Sequence, residues 1–189
     1  MRILTLITGL LLALPSLANW QLSNDESQFN FVTTKKNSAT EVNQFTELTG
    51  HVSSKGDVHL AIDLSSVNTN IPIRDERMQE FLFETELFPK AVFTAEVNAK
   101  GIARLNVGEL TQMDLMGEIN LHGIKQIINT RVQVVKLKEN TLQVNSLQPI
   151  IIQAKAFKLG AGVEKLKALA GLPSISYAVP VTFSLAFTQ

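Results

Sequence analysis

The stretch Gln28-Phe29-Asn30-Phe31-Val32-Thr33 decides the fold. Phe29, Phe31 and Thr33 fall on one side of an extended chain, and Gln28, Asn30 and Val32 on the other. That period of two marks a strand with one face against an interior. The pattern spreads along the chain. Val58, Leu60 and Ile62 repeat it after the turn Lys55-Gly56-Asp57, and Phe93, Ala95 and Val97 repeat it before Asn98-Ala99-Lys100-Gly101. Further strands are expected over 42–52, 102–107, 111–121, 127–137, 141–153 and 175–187. The connections are short and polar, as between antiparallel neighbours.

Two segments change period. In 74–84, Met78, Phe81 and Leu82 stand at i, i+3 and i+4, which predicts a short amphipathic helix that Pro89 keeps from extending. In 163–170, Val163, Leu166 and Leu169/Ala170 form one stripe. Gly160 and Gly162 precede it, and Gly171 and Pro173 close it. The expectation is an all-β domain, an eight-stranded antiparallel lipocalin-like barrel with one or two short helices. Closure removes exposed edges, and strands near ten residues long favour a tall tilted barrel over a flattened sandwich.

The first residues bear on where the chain works. Arg2 supplies a positive end, Ile3 through Ala13 an apolar run, Pro15 a break, and Ser16-Leu17-Ala18 the small residues of a cleavage site. Residues 1–18 read as a secretory signal peptide cleaved after Ala18, too short to span a membrane. The domain is then 19–189, and the expected compartment is a bacterial periplasm. With no cysteine, the chain has no disulfide scaffold, thiol nucleophile or Cys-ligated zinc. Basic and acidic residues balance at 17 each, which gives no electrostatic basis for binding nucleic acid. One Trp and one Tyr are too few for the aromatic girdles of an outer-membrane barrel.

Catalytic patterns are missing. His51, His59 and His122 form no H-E-x-x-H or close pair with an acidic third ligand, and Ser174 and Ser176 lie in no G-x-S-x-G elbow. Asp75, Glu76, Glu80, Glu84 and Glu86 share a short helical segment with Arg74 and Arg77, where solvation and local pairing account for the charge. Leu159-Gly160-Ala161-Gly162 lacks the lysine and hydroxyl of a phosphate loop. No catalytic or metal-ligating residue is assigned and the chain is not expected to be an enzyme. A hydrolase or isomerase acting on a small amphiphile, built on the histidines, is the alternative.

The long connection from Val67 to Phe93 is more specific. Phe81, Phe83 and Phe88 cannot all be solvated, and they either plug one barrel end or wall an apolar cavity. Phe93 belongs to the inward face, because Thr94 and Glu96 occupy the other.

Trp20, the F-x-F of Phe29 and Phe31, and Gly50 resemble the opening of the YceI-like family. Asp63, Ser66, Thr69, Arg74-Asp75-Glu76-Arg77-Met78 and Phe88-Pro89-Lys90-Ala91-Val92-Phe93 resemble its central signature. Gly117-Glu118-Ile119-Asn120-Leu121-His122-Gly123-Ile124 is similar to its G-x-L-x-x-x-G-x-T segment, departing at Ile119 and Ile124. Ala156-Phe157-Lys158-Leu159-Gly160 stands where many members carry Arg-x-Asp/Glu-Phe/Tyr-Gly. The resemblance implies an exported lipocalin-like barrel holding a polyisoprenoid chain, an isoprenoid quinone or another long-chain amphiphile, without a cofactor. It tips the aromatic cluster from plug to pocket and puts Asn68, Thr69, Arg74 and Asp75 near the opening. The expected ligand-binding set is Phe31, Asn68, Thr69, Arg74, Asp75, Phe81, Phe83, Phe88 and Phe93. An exposed apolar barrel mouth faces a membrane, a partner or a second subunit, so the expected contacts are transient membrane contact and a monomer or homodimer.

Overall fold

The computed structural model describes residues 19–189, so the expected signal peptide lies outside the described residues. Eleven strands follow one another: β1 (Trp20–Lys35), β2 (Ala39–Phe45), β3 (Leu48–Val52), β4 (Asp57–Asp63), β5 (Val67–Asn68), β6 (Lys90–Glu96), β7 (Leu110–Leu121), β8 (Ile124–Lys138), β9 (Thr141–Ser146), β10 (Ile150–Gln153) and β11 (Ala178–Thr188). Three helices interrupt them: α1 (Pro72–Met78), which runs into a π-turn at Gln79–Phe83, α2 (Ala99–Ala103) and α3 (Gly160–Leu169).

Every pairing is antiparallel, and β11 pairs back onto β1 from Gln21↔Thr188 to Phe31↔Val181, so the sheet closes. Three staves are each made of two strands: β2 with β3, β4 with β5, and β9 with β10. The result is an eight-stranded antiparallel barrel with short helices, as the alternating pattern and the strand lengths lead one to expect. Closure pairs the strand edges that an open sheet would leave exposed.

The composite staves correct two expected strands. The span 42–52 breaks at Thr46-Glu47, where Ser66 Oγ accepts from both backbone N–H groups at 3.2 and 3.0 Å. Asn24 bridges the same gap, donating to the Thr46 carbonyl at 3.0 Å and accepting from the Leu48 N–H at 2.7 Å. The span 141–153 breaks at Leu147-Gln148-Pro149, because Pro149 has no N–H to give the ladder. A third expected strand, 102–107, is replaced by the turn of α2. Asn98 caps it by accepting from the Gly101 N–H at 3.1 Å, and Ile102 and Leu105 turn inward together.

The two ends of the barrel differ. Near the β3–β4 turn, α2 and Trp20 close it with buried apolar side chains. At the other end α1, the π-turn and α3 lie across the rim. Gly162 makes that packing possible, since a Cβ there would stand 2.5 Å from the Phe81 carbonyl oxygen and 2.8 Å from Leu82 Cα. The π-turn also shifts the phase of the expected helix. One extra residue in the turn swings Phe83 inward, to 7% exposure, and leaves Phe81 half-buried.

Candidate functional site

The interior is not filled. A cavity of about 430 Å³ runs along the barrel axis, within the range of sites that hold small molecules. At the closed end its wall is Val52, Val58, Val97 and Ile102; midway it is Phe29, Phe31, Phe45, Leu60, Phe93, Leu115, Val132 and Phe183. The alternation of each strand explains this lining, since every inward position but a few is apolar. Aromatic rings tie the wall together: Phe31 and Phe45 have centroids 5.1 Å apart, and Phe45 meets Phe83 of the π-turn at 5.7 Å. At the helical end Ile71 and Ile73 line the cavity yet are 44% and 52% exposed, so the cavity reaches the surface there.

Polar groups gather near that opening. Lys35 Nζ and Arg74 both pair with the Glu41 carboxylate, the former at 2.8 Å. Arg74 also donates from Nε to Thr69 Oγ1 and from a terminal nitrogen to the Thr69 carbonyl, each at 2.7 Å. Asp75 fixes Thr69 in turn, accepting from its N–H at 2.9 Å and from its hydroxyl. The Lys35 hydrogen bond, with help from Arg74, holds the Glu41 carboxyl below the usual carboxylate range despite partial desolvation. Deeper in, Asn43 is 4% exposed; its Nδ2 donates to Thr33 Oγ1 at 3.1 Å and to the Glu41 carbonyl at 3.4 Å. Asn43 and Thr130 are among the residues that line the cavity, but Asn43 Oδ1 and Thr130 Oγ1 are themselves buried, without a hydrogen-bond partner among the described residues.

The expected site residues divide. Phe31, Thr69, Arg74, Phe83 and Phe93 line the cavity. Asn68, Asp75, Phe81 and Phe88 do not. Asn68 Oδ1 accepts from the Asn70 N–H at 2.9 Å, and Asp75 serves Thr69 from behind. Phe81 lies under Lys165 Nζ, 5.3 Å from the ring centroid, and Phe88 packs on His122 with centroids 4.3 Å apart. Lys35, Glu41 and Asn43 were missed. Continuing the alternation of Phe29 and Phe31 to Lys35, and of Phe45 back to Glu41, would have found them.

None of the three histidines lines the cavity. His51 and His59 are cross-strand partners with rings stacked at 5.5 Å, and His122 Nε2 pairs with Glu84 at 2.7 Å. Among the described residues no group of three or more His, Asp or Glu side chains could hold a metal ion. The histidine-based alternative therefore has no residue inside the cavity to carry it.

A closed antiparallel barrel with an apolar, one-ended interior defines a hydrophobic-ligand-binding barrel of the lipocalin-like class. The model of the YceI-like domain matches residues 20–187, and the chain belongs to that family. Among solved structures it is similar to a polyisoprenoid binding domain from Saccharophagus degradans implicated in plant cell wall breakdown. The two share 38% identity with a TM-score of 0.88, over 89% of this chain and 97% of that one. Burkholderia cenocepacia BcnA shares the fold at 16% identity, with a TM-score of 0.68 over 87% of this chain and 98% of that one. Campylobacter jejuni YCEI protein does so at 13% identity, with a TM-score of 0.51 over 100% of this chain and 99% of that one. A search of curated proteins found no match.

Proposed function

We propose that the protein binds and carries an isoprenoid lipid or isoprenoid quinone in the periplasm without altering it chemically. The observation that carries this reading is the axial cavity, about 430 Å³ of space with almost wholly apolar walls. Removing a tail from water contributes roughly 0.8 kcal/mol per buried CH₂. Ordering of tail and protein, and the solubility of the tail in membranes, offset much of that. The likeness to the Saccharophagus degradans polyisoprenoid binding domain supports an isoprenoid over other apolar ligands. Loading from a membrane would proceed through the end where Ile71 and Ile73 are exposed.

Solvent extraction of the purified protein followed by mass spectrometry tests the ligand. An isoprenoid recovered near stoichiometry is the expected result. Repeated recovery of none, with no uptake of prenyl probes by delipidated protein, overturns the reading. Fractionation with N-terminal sequencing tests the compartment, the expected mature start being Asn19.

A further inference from the structure

We infer that the outer wall formed by β10, β11, β1 and β2 is the contact face of a homodimer, in which two copies of this chain meet about a twofold axis through the centre of that wall. The inference is independent of what the cavity holds.

The register assembles the face. Ile151 pairs with Pro180, and Val32 pairs with Val42. The β1–β11 ladder ends at Phe31↔Val181, which sets Val32 beside Pro180. One apolar row, Ile151–Pro180–Val32–Val42, therefore crosses four neighbouring strands. Each of the four alternates with cavity-lining neighbours and so points outward. Val42 is 66% exposed and Ile151 48%. Single exposed apolar residues are ordinary on a surface, whereas a continuous row marks an interaction site. The surround is neutral. No residue in 28–34, 150–153 or 178–184 is charged, and Glu41, the one charge in 40–44, turns to the other side to pair with Lys35 and Arg74. The far side of the barrel differs. Met116 is just as exposed there, but the ion pairs Arg131–Asp114 and Lys125–Glu118 flank it.

A second copy is the occupant this chemistry selects. A twofold axis sets a patch against itself, so a charge on it is brought towards its own copy, and this patch has none. Its polar members, Asn30, Gln44, Thr34 and Thr182, carry amides and hydroxyls that both donate and accept, so they match their own kind. With the axis between Pro180 and Val32, the two rows run antiparallel and Val42 of one copy faces Ile151 of the other. The chain is formally neutral, so the copies approach without net repulsion. A lipid surface is recognised by basic residues or by Trp and Tyr, and the row and its neighbours have neither. Strands about 4.8 Å apart and same-face residues about 6.7 Å apart make the face roughly 20 by 25 Å. Two copies then bury on the order of 1,000 Å², the lower limit for a specific interface, so the dimer is a weak one in the micromolar range.

Sedimentation velocity from low to high micromolar concentration tests the face. The wild type is expected to show a monomer–dimer equilibrium. Val42→Lys and Ile151→Glu should each weaken it by about tenfold or more, because each buries an unpaired charge. Combined in one chain they should restore the dimer, since each new charge then meets its opposite across the axis. Met116→Lys, on the far wall, should leave the equilibrium unchanged. Circular dichroism and prenyl-probe binding should match the wild type in every variant, as these side chains lie outside the cavity. A wild type that stays monomeric throughout overturns the inference. A dimer that survives both single substitutions, or that Met116→Lys dissolves, overturns it too. Failure of the double variant to recover overturns the twofold arrangement. Binding of the monomer to phosphatidylcholine vesicles, lost in Val42→Lys, overturns the dimer and assigns the face to lipid.

Discussion

The ring of Phe93 on β6 lies across Gly117 on β7. A Cβ at 117 would stand 2.3 Å from the ring Cζ and 2.5 Å from the Thr94 carbonyl oxygen. The two strands pair at Ala95↔Gly117 and Phe93↔Ile119, so the ring fills the gap that the glycine leaves on the inner wall. Gly117→Ala is expected to destabilise by about 1–3 kcal/mol, as overpacking does. In a Phe93→Ala background it should cost less, and a double-mutant cycle by denaturant unfolding measures the difference.

Phe93→Ala alone reports on the cavity. In a solid core the change would cost about 3–5 kcal/mol. Phe93 lines open space and is only half-buried, so the ligand-free protein is expected to lose less than that. The extracted lipid should change in length or occupancy, as read by mass spectrometry.

Phe88 and Phe83 separate support from lining. Phe88 packs on His122 and Gly123 outside the cavity, whereas Phe83 is buried on its wall. Phe88→Ala should lower stability by about 1–3 kcal/mol and leave prenyl-probe affinity within twofold. Phe83→Ala should change both, and parallel unfolding and binding titrations distinguish the two outcomes.

Glu41 makes stability at this end depend on pH. Its folded carboxyl lies below its ordinary value of 4.5, held there first by Lys35 and then by Arg74. A depressed acid contributes stability above its unfolded value and loses it as pH falls through the folded one. The side chain is 41% exposed, so solvent screening limits the contribution to less than about 1 kcal/mol. Denaturant unfolding of wild type and Glu41→Gln should show a small gap at pH 7 that closes below 4.5.

Ile71 and Ile73 are exposed at the opening. Replacing both with Ser should slow lipid transfer to vesicles severalfold while leaving the extracted lipid unchanged. Unchanged transfer rates would place loading elsewhere.

The barrel was legible because a period of two survives any loop geometry, and Phe29-x-Phe31 or Val58-x-Leu60-x-Ile62 reads the same in isolation as in the fold. What escaped depends on partners distant in sequence. The break at Thr46 is imposed by Ser66 and Asn24, twenty or more residues away, and nothing in 42–52 announces it. Asn98 did announce α2, since it is a strong helix cap, but the turn reading masked the inward stripe of Ile102 and Leu105. The site was half legible. Aromatic lining at Phe31 and Phe93 follows from strand parity, whereas Phe81 was misassigned because a π-turn changes the phase of a helix by one residue. Glu41 and Asn43 escaped for a different reason. Polar residues at inward positions contradict the apolar-in rule unless an opening is already known to be there.

A hollow axis also determines how the molecule answers to hydrostatic pressure. Voids eliminated on unfolding make the unfolded chain occupy less volume, and compression favours the smaller state. With about 430 Å³ unfilled, the ligand-free barrel should give way at lower pressure than the loaded one. The midpoint of pressure denaturation is therefore a gauge of occupancy that needs no knowledge of what the occupant is.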